Sequence, residues 1–409
     1  MSQFVSTIVG GQYGSEAKGH VTAQLVKSAV RDARQYLADN PEGALPDTIN
    51  IRVAGPNAGH TVYDDRGQKF ALRQVPVGAV YEDVQLYIAP GSEIDLDVLY
   101  SEIEQLEAAG HPIQHRLFVS AQATVIEEYH KTEEAGLVGG IGSTGKGIGA
   151  ARADRLMRRA RTIGDYMAGA GLGTMWEWRE PQDWYATDDF VHNHQSHLLI
   201  EGTQGYGLSL RASGFYPYVT SSDARAIDFM AMAGVDPTRC SVHATNWIVA
   251  RVYPIRVAGN SGPMSGETSW EELGLPEERT TVTQKVRRVG AWDPELLRQA
   301  VQANGGHNSK VVITMLDQVI PELAGLDPLE VEKQIDSGDV PESTGAALDA
   351  AFNWVQENAS YDGIGAHVAA ITFGPDKILF TQYASENPTA GLAGVDPEAL
   401  LAQILGGGN

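Results

Sequence analysis

An α/β fold with a large, mostly parallel central sheet is predicted by three features of the sequence. Short apolar, β-rich runs recur along most of the chain, and helical patterns fall between many of them. The first run also ends in a glycine-crowded turn that leads into a helix. By length, 409 residues could hold two or three domains, but large α/β enzymes often build one sheet of this size. No internal repeat or long low-complexity linker divides the chain. The expectation is one domain over 1–409, with helices flanking the sheet, inserted hairpin and helical subregions and a frayed Gly406–Gly408 tail.

In chain order, Phe4–Val9 reads as a short buried strand and Ala23–Tyr36 as a helix with apolar residues at helical spacing. Further strands are expected at Thr48–Val53, Gln85–Ala89, Arg116–Val119, His197–Ile200, Val252–Val257, Lys310–Met315 and Val368–Phe373. Helical patterns occupy Asp95–Ala108, Ala153–Ala168, Pro294–Ala303 and Thr344–Glu357. The segment Tyr63–Val75, with the turn Asp64-Asp65-Arg66-Gly67, reads as a hairpin insertion.

Composition narrows the class. A hydrophobic content of 43% with 45 glycines and 19 prolines fits a soluble globular enzyme rich in turns. No apolar run approaches the roughly 18 residues of a membrane-spanning helix, and the start carries no basic leader. One cysteine, Cys240, cannot form an internal disulfide, so a cytoplasmic protein is expected. A net charge of −22 argues against a general nucleic-acid binder. Basic residues gather instead at Arg152–Arg161 and Lys285–Arg288, which suggests small anionic ligands at defined points or, alternatively, solvated helix faces.

Five loops carry chemistry. Ile8-Val-Gly-Gly-Gln-Tyr-Gly-Ser-Glu-Ala-Lys-Gly19 joins a strand to a helix with four glycines between them and one lysine. Small residues let backbone N–H groups approach an anion, and the helix start and lysine add positive potential. The string is not the G-x-x-x-x-G-K-S/T phosphate loop, and simple chain reversal is the alternative reading. Arg52-Val-Ala-Gly-Pro-Asn-Ala-Gly-His60-Thr61 brings a histidine onto a small-residue loop after a strand. Gly142-Ser-Thr-Gly-Lys-Gly-Ile-Gly149 offers hydroxyls, N–H groups and a lysine, and leads into a basic helix that carries Arg158. Leu199-Ile-Glu201-Gly-Thr-Gln204-Gly, followed by Phe215-Tyr-Pro-Tyr-Val-Thr220-Ser-Ser222, supplies mixed donors and acceptors suited to a purine edge or a phosphate. Arg279-Thr-Thr-Val-Thr283-Gln-Lys285-Val-Arg287-Arg288 gathers hydroxyls and cations suited to carboxylates.

In this order and spacing, the segments resemble the adenylosuccinate synthetase family from Val9 to about Lys377. The first loop is similar to that family's G-Q-W-G-D-E-G-K-G, the second to N-N-A-G-H-T and the third to T-T-G-R-G-I-G-P. The next two resemble E-G-A-Q-G and Y-P-Y-V-T-S-S, and the basic loop resembles T-T-G-R-x-R-R. Leu316-Asp317 resembles the base-reading T-K-L-D, and Gly374-Pro-Asp-Lys377 the closing G-P-D-R.

The resemblance implies a Mg²⁺-dependent ligase. A nucleoside triphosphate phosphorylates O6 of a purine nucleotide, and the amino group of aspartate displaces that phosphate at C6. It further implies Ser15, Lys18, His60 and Gln204 as catalytic residues, with His60 as general acid. Ser15 and Gly59 fall at the metal. The nucleotides would be held by Gly14, Ser15, Glu16, Ala17, Lys18, Gly19, Asn57, Gly59, His60, Thr61, Ser143, Thr144, Arg158, Gln204, Thr220, Val257, Asp317, Gly374 and Pro375. Thr283, Lys285 and Arg287 would surround the aspartate carboxylates, and Arg158 would reach across a homodimer.

The departures from the family pattern point further. The family's base, an aspartate that takes the purine N1 proton, is Ser15 in this chain. A shorter hydroxyl makes room for the 2-amino group of guanine, and this substitution marks the PurZ-type 2-aminoadenylosuccinate synthetase branch of phages and archaea, which acts on dGMP. Lys285 replaces an arginine that approaches the ribose 2′-hydroxyl. Met315 and Phe373 replace polar residues in the pocket that selects GTP, so an apolar, aromatic-lined pocket for ATP or dATP is expected, while Asp317 suits guanine. The leading reading joins L-aspartate to dGMP with ATP or dATP. The alternatives are an ordinary IMP enzyme using GTP and a nucleotide-binding protein without catalysis. Glu16, a water and the incoming aspartate all stay open as the base.

Overall fold

The computed structural model describes residues 3–41, 47–168, 196–238, 242–280, 284–374 and 378–380. Cys240 and the Gly406–Gly408 tail lie outside them. Nine strands form the central sheet: β1 (Gln3–Gly10), β2 (Asp47–Arg52), β3 (Val84–Ile88), β4 (Leu117–Val119), β5 (Ser196–Glu201), β6 (Val242–Arg251), β7 (Lys310–Thr314), β8 (His367–Thr372) and β9 (Ile378–Phe380). Their order is β9-β8-β7-β6-β1-β5-β2-β3-β4, and every pairing is parallel except that of β8 with β9.

The strands are near-continuous apolar runs because both faces of the sheet are covered. Val5, Val9, Leu198, Ile200, Ile248 and Ala250 enter one core; the alternating Ile8, Leu199, Trp247 and Val249 enter the other. The first core is covered by α4 (Ala226–Ala233), α5 (Pro294–Ala303) and α6 (Glu342–Asn358), the second by α1 (Lys18–Asp39) and α2 (Leu96–Ala108), while α3 (Ile148–Leu156) lies between them in sequence. Side-chain N-caps start two of these helices: Asp95 accepts Val98 N–H at 3.4 Å, and Asp293 accepts Leu296 N–H at 3.0 Å. The expected hairpin forms between His60–Tyr63 and Lys69–Leu72.

Three elements differ from expectation. The strand beside β1 is Val242–Arg251; of Val252–Val257, only Ile255–Arg256 is extended, in a small three-stranded sheet. The first half of β6, Val-His-Ala-Thr-Asn, is polar enough to mask it. The Ala153–Ala168 pattern is two helices, Ile148–Leu156 and Ile163–Ala168, because the chain leaves the helix where Arg158 takes φ 62°. Finally, α1 starts at Lys18, before its apolar periodicity begins, so the lysine belongs to the first helical turn.

Phe373 also departs from its expected place. It is 1% exposed and belongs to the main core, so it does not line an open nucleotide pocket. Phe373→Ala is therefore expected to cost about 3–5 kcal/mol in urea unfolding, as a buried aromatic does. A loss of only a few tenths would return it to a surface.

Candidate active site

The carboxyl ends of β1, β2, β5, β6 and β7 lie along one edge of the sheet. From β1 the chain crosses toward β2 on one side, while β6 pairs on the other, so loops diverge at β1 and leave a crevice there. In the first loop Gly14, Ser15 and Ala17 all have positive φ, at 89°, 59° and 68°. This curls the backbone just ahead of the 22-residue α1, whose N-terminus adds positive potential. The resulting cradle holds an anion of its own. Glu16 Oε1 accepts Gly14 N–H at 2.7 Å and Gln12 N–H at 3.1 Å, and Lys18 Nζ meets Oε2 at 2.6 Å. Gly205 is required beside it, since a Cβ there would stand 2.4 Å from Glu16 Oε1. The same close packing brings the Gln204 backbone against Gly10 and Gly14.

Next to the cradle, three strands each end in a buried charge: Arg52 on β2 and Glu201 on its neighbour β5, and Arg251 on β6, across β1 from β5. Arg52 and Glu201 are register partners, and Arg52 Nη1 donates to Glu201 Oε2 at 2.7 Å. Arg52 also donates to the carbonyls of Ala58 at 2.6 Å and Arg73 at 3.1 Å, which fixes the His60 loop at both ends. His60 Nδ1 lies 2.9 Å from Glu201 Oε2 and touches Arg52 Nη1. Burial, then the Arg52 charge, push the His60 pKa down to about 3, against the pull of Glu201. Burial pushes the Glu201 carboxyl up, but Arg52, His60 and the Val77 N–H hold it below its usual value. The ring is therefore neutral at physiological pH.

The remaining loops adjoin. A Cβ on Gly142 would meet Ser261 and Val257, one on Gly149 would touch Ser221, and one on Gly55 would clash with Ile148. The His60 loop, the Ser143–Thr144 loop, the Thr220 loop and Val257 thus line one region. Asn57 and Ser143 are half-buried there, while Gly59, Thr61 and Thr144 are exposed. Beyond β7, Gly374 N–H donates to Asp317 Oδ1 at 3.3 Å, and Thr314 Oγ1 donates to the Glu16 carbonyl at 3.0 Å, which ties that end to the first loop. Thr283 and Pro375 lie outside the described residues. Arg158 is exposed on its turn, and among the described residues no hydrogen bond joins it to these loops.

Ser15 is exposed, and Arg287 Nη1 donates to its Oγ. Arg251 Nη1 reaches the Ser15 carbonyl at 3.5 Å, and Arg251 is clamped by Glu278 at 2.5 and 3.1 Å. The basic loop therefore closes directly on the residue that departs from the family pattern. Arg251 and Glu278 were not singled out from sequence. The available signal was a charge at the carboxyl end of a strand, directly after a buried apolar residue, shared by Arg52, Glu201 and Arg251.

The family profile described as adenylosuccinate synthetase matches residues 7–177 and 182–343. The chain belongs to the adenylosuccinate synthetase family. It is 36% identical to the adenylosuccinate synthetase of Pyrococcus horikoshii over 330 residues, covering 78% of this chain and 86% of that one. With the Methanocaldococcus jannaschii enzyme it shares 35% over 329 residues, covering 78% and 84%. Among solved structures, it resembles the cyanophage S-2L succinoaminodeoxyadenylate synthetase (PurZ), bound to dGMP and dATP as an energy donor. That match has a TM-score of 0.68 at 25% identity and covers 96% of this chain and 100% of that one. The fully ligated Plasmodium falciparum adenylosuccinate synthetase, at 20% identity and TM-score 0.67 over 92% of this chain and 100% of that one, shares the fold.

As an adenylosuccinate synthetase-type protein, the chain is a ligase that forms a C–N bond, in a family that uses Mg²⁺ and a nucleoside triphosphate. Among the described residues no helix is long and apolar enough to cross a membrane.

Two outcomes follow from the buried charges. Glu201→Gln leaves Arg52 buried without its counter-charge and is expected to lower stability by about 3–5 kcal/mol in chemical denaturation. His197, whose pKa burial pushes down to about 4, and His60 both protonate in the unfolded chain near 6.5 but not in the folded one. Stability is thus complete above about 6.5 and falls as pH drops toward 4, by up to about 1.4 kcal/mol per pH unit for each histidine. His197→Asn should flatten that slope in urea titrations; an unchanged slope would mean His197 does not contribute.

Proposed function

We propose that this synthetase joins L-aspartate to C6 of dGMP, using ATP or dATP, to give N6-succino-2-amino-2′-deoxyadenylate. The observation that carries the reading is Ser15: a small, neutral, exposed residue between the first-loop cradle and Arg287 of the basic loop. An aspartate there would add bulk beside the position that a guanine 2-amino group needs. The structural likeness to the cyanophage enzyme, solved with dGMP and dATP, supports the same direction.

On this reading the chemistry would fall to residues of these loops. In the first step O6 attacks the γ-phosphorus, the bond to the β-phosphate oxygen breaks and N1 loses its proton. In the second, the aspartate amine displaces phosphate at C6 and gives up a proton. Lys18 would leave Glu16 for the γ-phosphate, and the loop N–H groups would turn to phosphate oxygens. His60 would donate a proton to the bridging oxygen. Gln204, Thr144 and Thr220 would hold the purine nucleotide, and Thr283, Lys285 and Arg287 the aspartate.

The donor set fits Mg²⁺ held chiefly by substrate phosphates. Ser15 and Gly59 offer neutral oxygens, and among the described residues no group of three or more His, Cys, Asp or Glu could hold a metal alone. Bound there, Mg²⁺ would neutralise phosphate charge. We further read the chain as one domain and as a homodimer. Leu156 and Met157, 77% and 64% exposed beside Arg158, give an apolar edge for a second copy to cover.

A second reading, IMP with GTP, is favoured by the sequence relatives, which are adenylosuccinate synthetases at 35–36% identity, and by the retention of Asp317. Phosphate release with Mg²⁺ and aspartate, measured with ATP and with GTP, decides between them. We expect turnover with dGMP and little with IMP, and the reverse result would replace the dGMP reading by the IMP one. His60→Ala should lower kcat roughly 10²–10⁴-fold.

A further inference from the structure

The dGMP reading leaves the N1 proton without its aspartate, and the carboxylates near position 15 do not replace it. Both Glu16 oxygens are committed to the cradle N–H groups and Lys18, and the residue is 0% exposed. Glu278 is committed through both oxygens to Arg251. The cations are less evenly matched. Arg279 pairs with Glu277 at 2.5 Å, Arg288 with Glu267 at 2.6 Å and Lys18 with Glu16 at 2.6 Å. Among the described residues no carboxylate lies within 4 Å of the Arg287 guanidinium, although its backbone N–H donates to the Glu278 carbonyl at 2.8 Å. Its hydrogen-bond acceptors are the neutral Ser15 hydroxyl and, at 3.5 Å, the Arg279 carbonyl.

Around Ser15, then, two guanidiniums share one carboxylate. In a family member with aspartate at this place, a second carboxylate would balance them. Serine leaves a positive charge uncompensated where, on the reading above, N1 of the purine sits.

We infer that Arg287, held by the Ser15 hydroxyl, replaces the missing base by electrostatics: it stabilises the N1-deprotonated guanine. The N1 proton leaves to water, the N1 electron pair delocalises onto O6, and the resulting 6-olate is the nucleophile toward the γ-phosphorus. Nothing is oxidised or reduced, and water is the only co-reactant. A unit charge within about 4–6 Å shifts an ionisation by about 1–3 pH units in favour of the charged form. The charged groups that set the local field are Arg251 and Glu278, with Glu16 and Lys18 contributed by the first loop.

The inference rests on the dGMP reading, and the test separates the two. The ultraviolet spectrum of guanine changes when N1 loses its proton, so the N1 pKa of dGMP is measured bound and free by difference titration, without triphosphate or aspartate. Bound dGMP should titrate about one to two pH units below free dGMP on the wild-type protein, and equally low on Ser15→Ala, which keeps the charge. On Ser15→Asp, which balances Arg287, and on Arg287→Gln, it should return to the free value. An unshifted pKa on the wild type, or a shift that survives Arg287→Gln, would overturn the inference while leaving dGMP as the substrate. If dGMP does not bind at all, the dGMP reading fails and takes the inference with it.

Discussion

The loops at the sheet edge depend on charges buried at the ends of β2, β5 and β6, which flank β1 on its two sides. Arg52, Glu201 and Arg251 are removed from water, so each needs a charged or hydrogen-bonding partner in fixed geometry. Meeting that need positions the site. Glu201 draws Arg52 and the His60 ring to one oxygen, and Arg52 pins the ends of the His60 loop through two carbonyls. Arg251 performs the same service toward the basic loop through Glu278. The result is loops tied to the ends of the central strands by buried charges.

The lateral links extend the same logic. Thr314 binds the carbonyl of Glu16, and Gly205 admits the Glu16 carboxylate where a Cβ would collide with it. Movement of the first loop is therefore felt at β5 and β7 together. Such coupling lets the parts of the site adjust as a unit.

Much of this was legible in the residues. The strands buried on both faces announce themselves as apolar runs, and α5 was bounded at both ends by Pro294 and the polar residues after Ala303. The loops were legible because glycine, histidine and lysine at strand ends have few structural uses. What stayed hidden was set by tertiary context. The polar half of β6 pairs with β1 but stays partly exposed at His243–Asn246, so its sequence does not look like a central strand. The break at Arg158 requires a positive φ that arginine does not advertise. Phe373 looked like pocket lining by its place next to Gly374, whereas its side chain turns into the core. The roles of Arg251 and Glu278 arise from a pairing 27 residues apart that no local pattern encodes.

The Glu16 carboxylate inside the first loop has a kinetic meaning. The cradle is never bare: its N–H groups and lysine are already satisfied by a tethered anion. Ligand entry is thus an exchange, in which an internal counter-ion must step out as an external one arrives. A stray monovalent anion offers too little to drive that exchange against a tethered competitor at high effective concentration. A polyphosphate, with several charges presented along the loop at once, is the kind of ligand that can. The loop in this way filters by valence before any base or sugar is recognised.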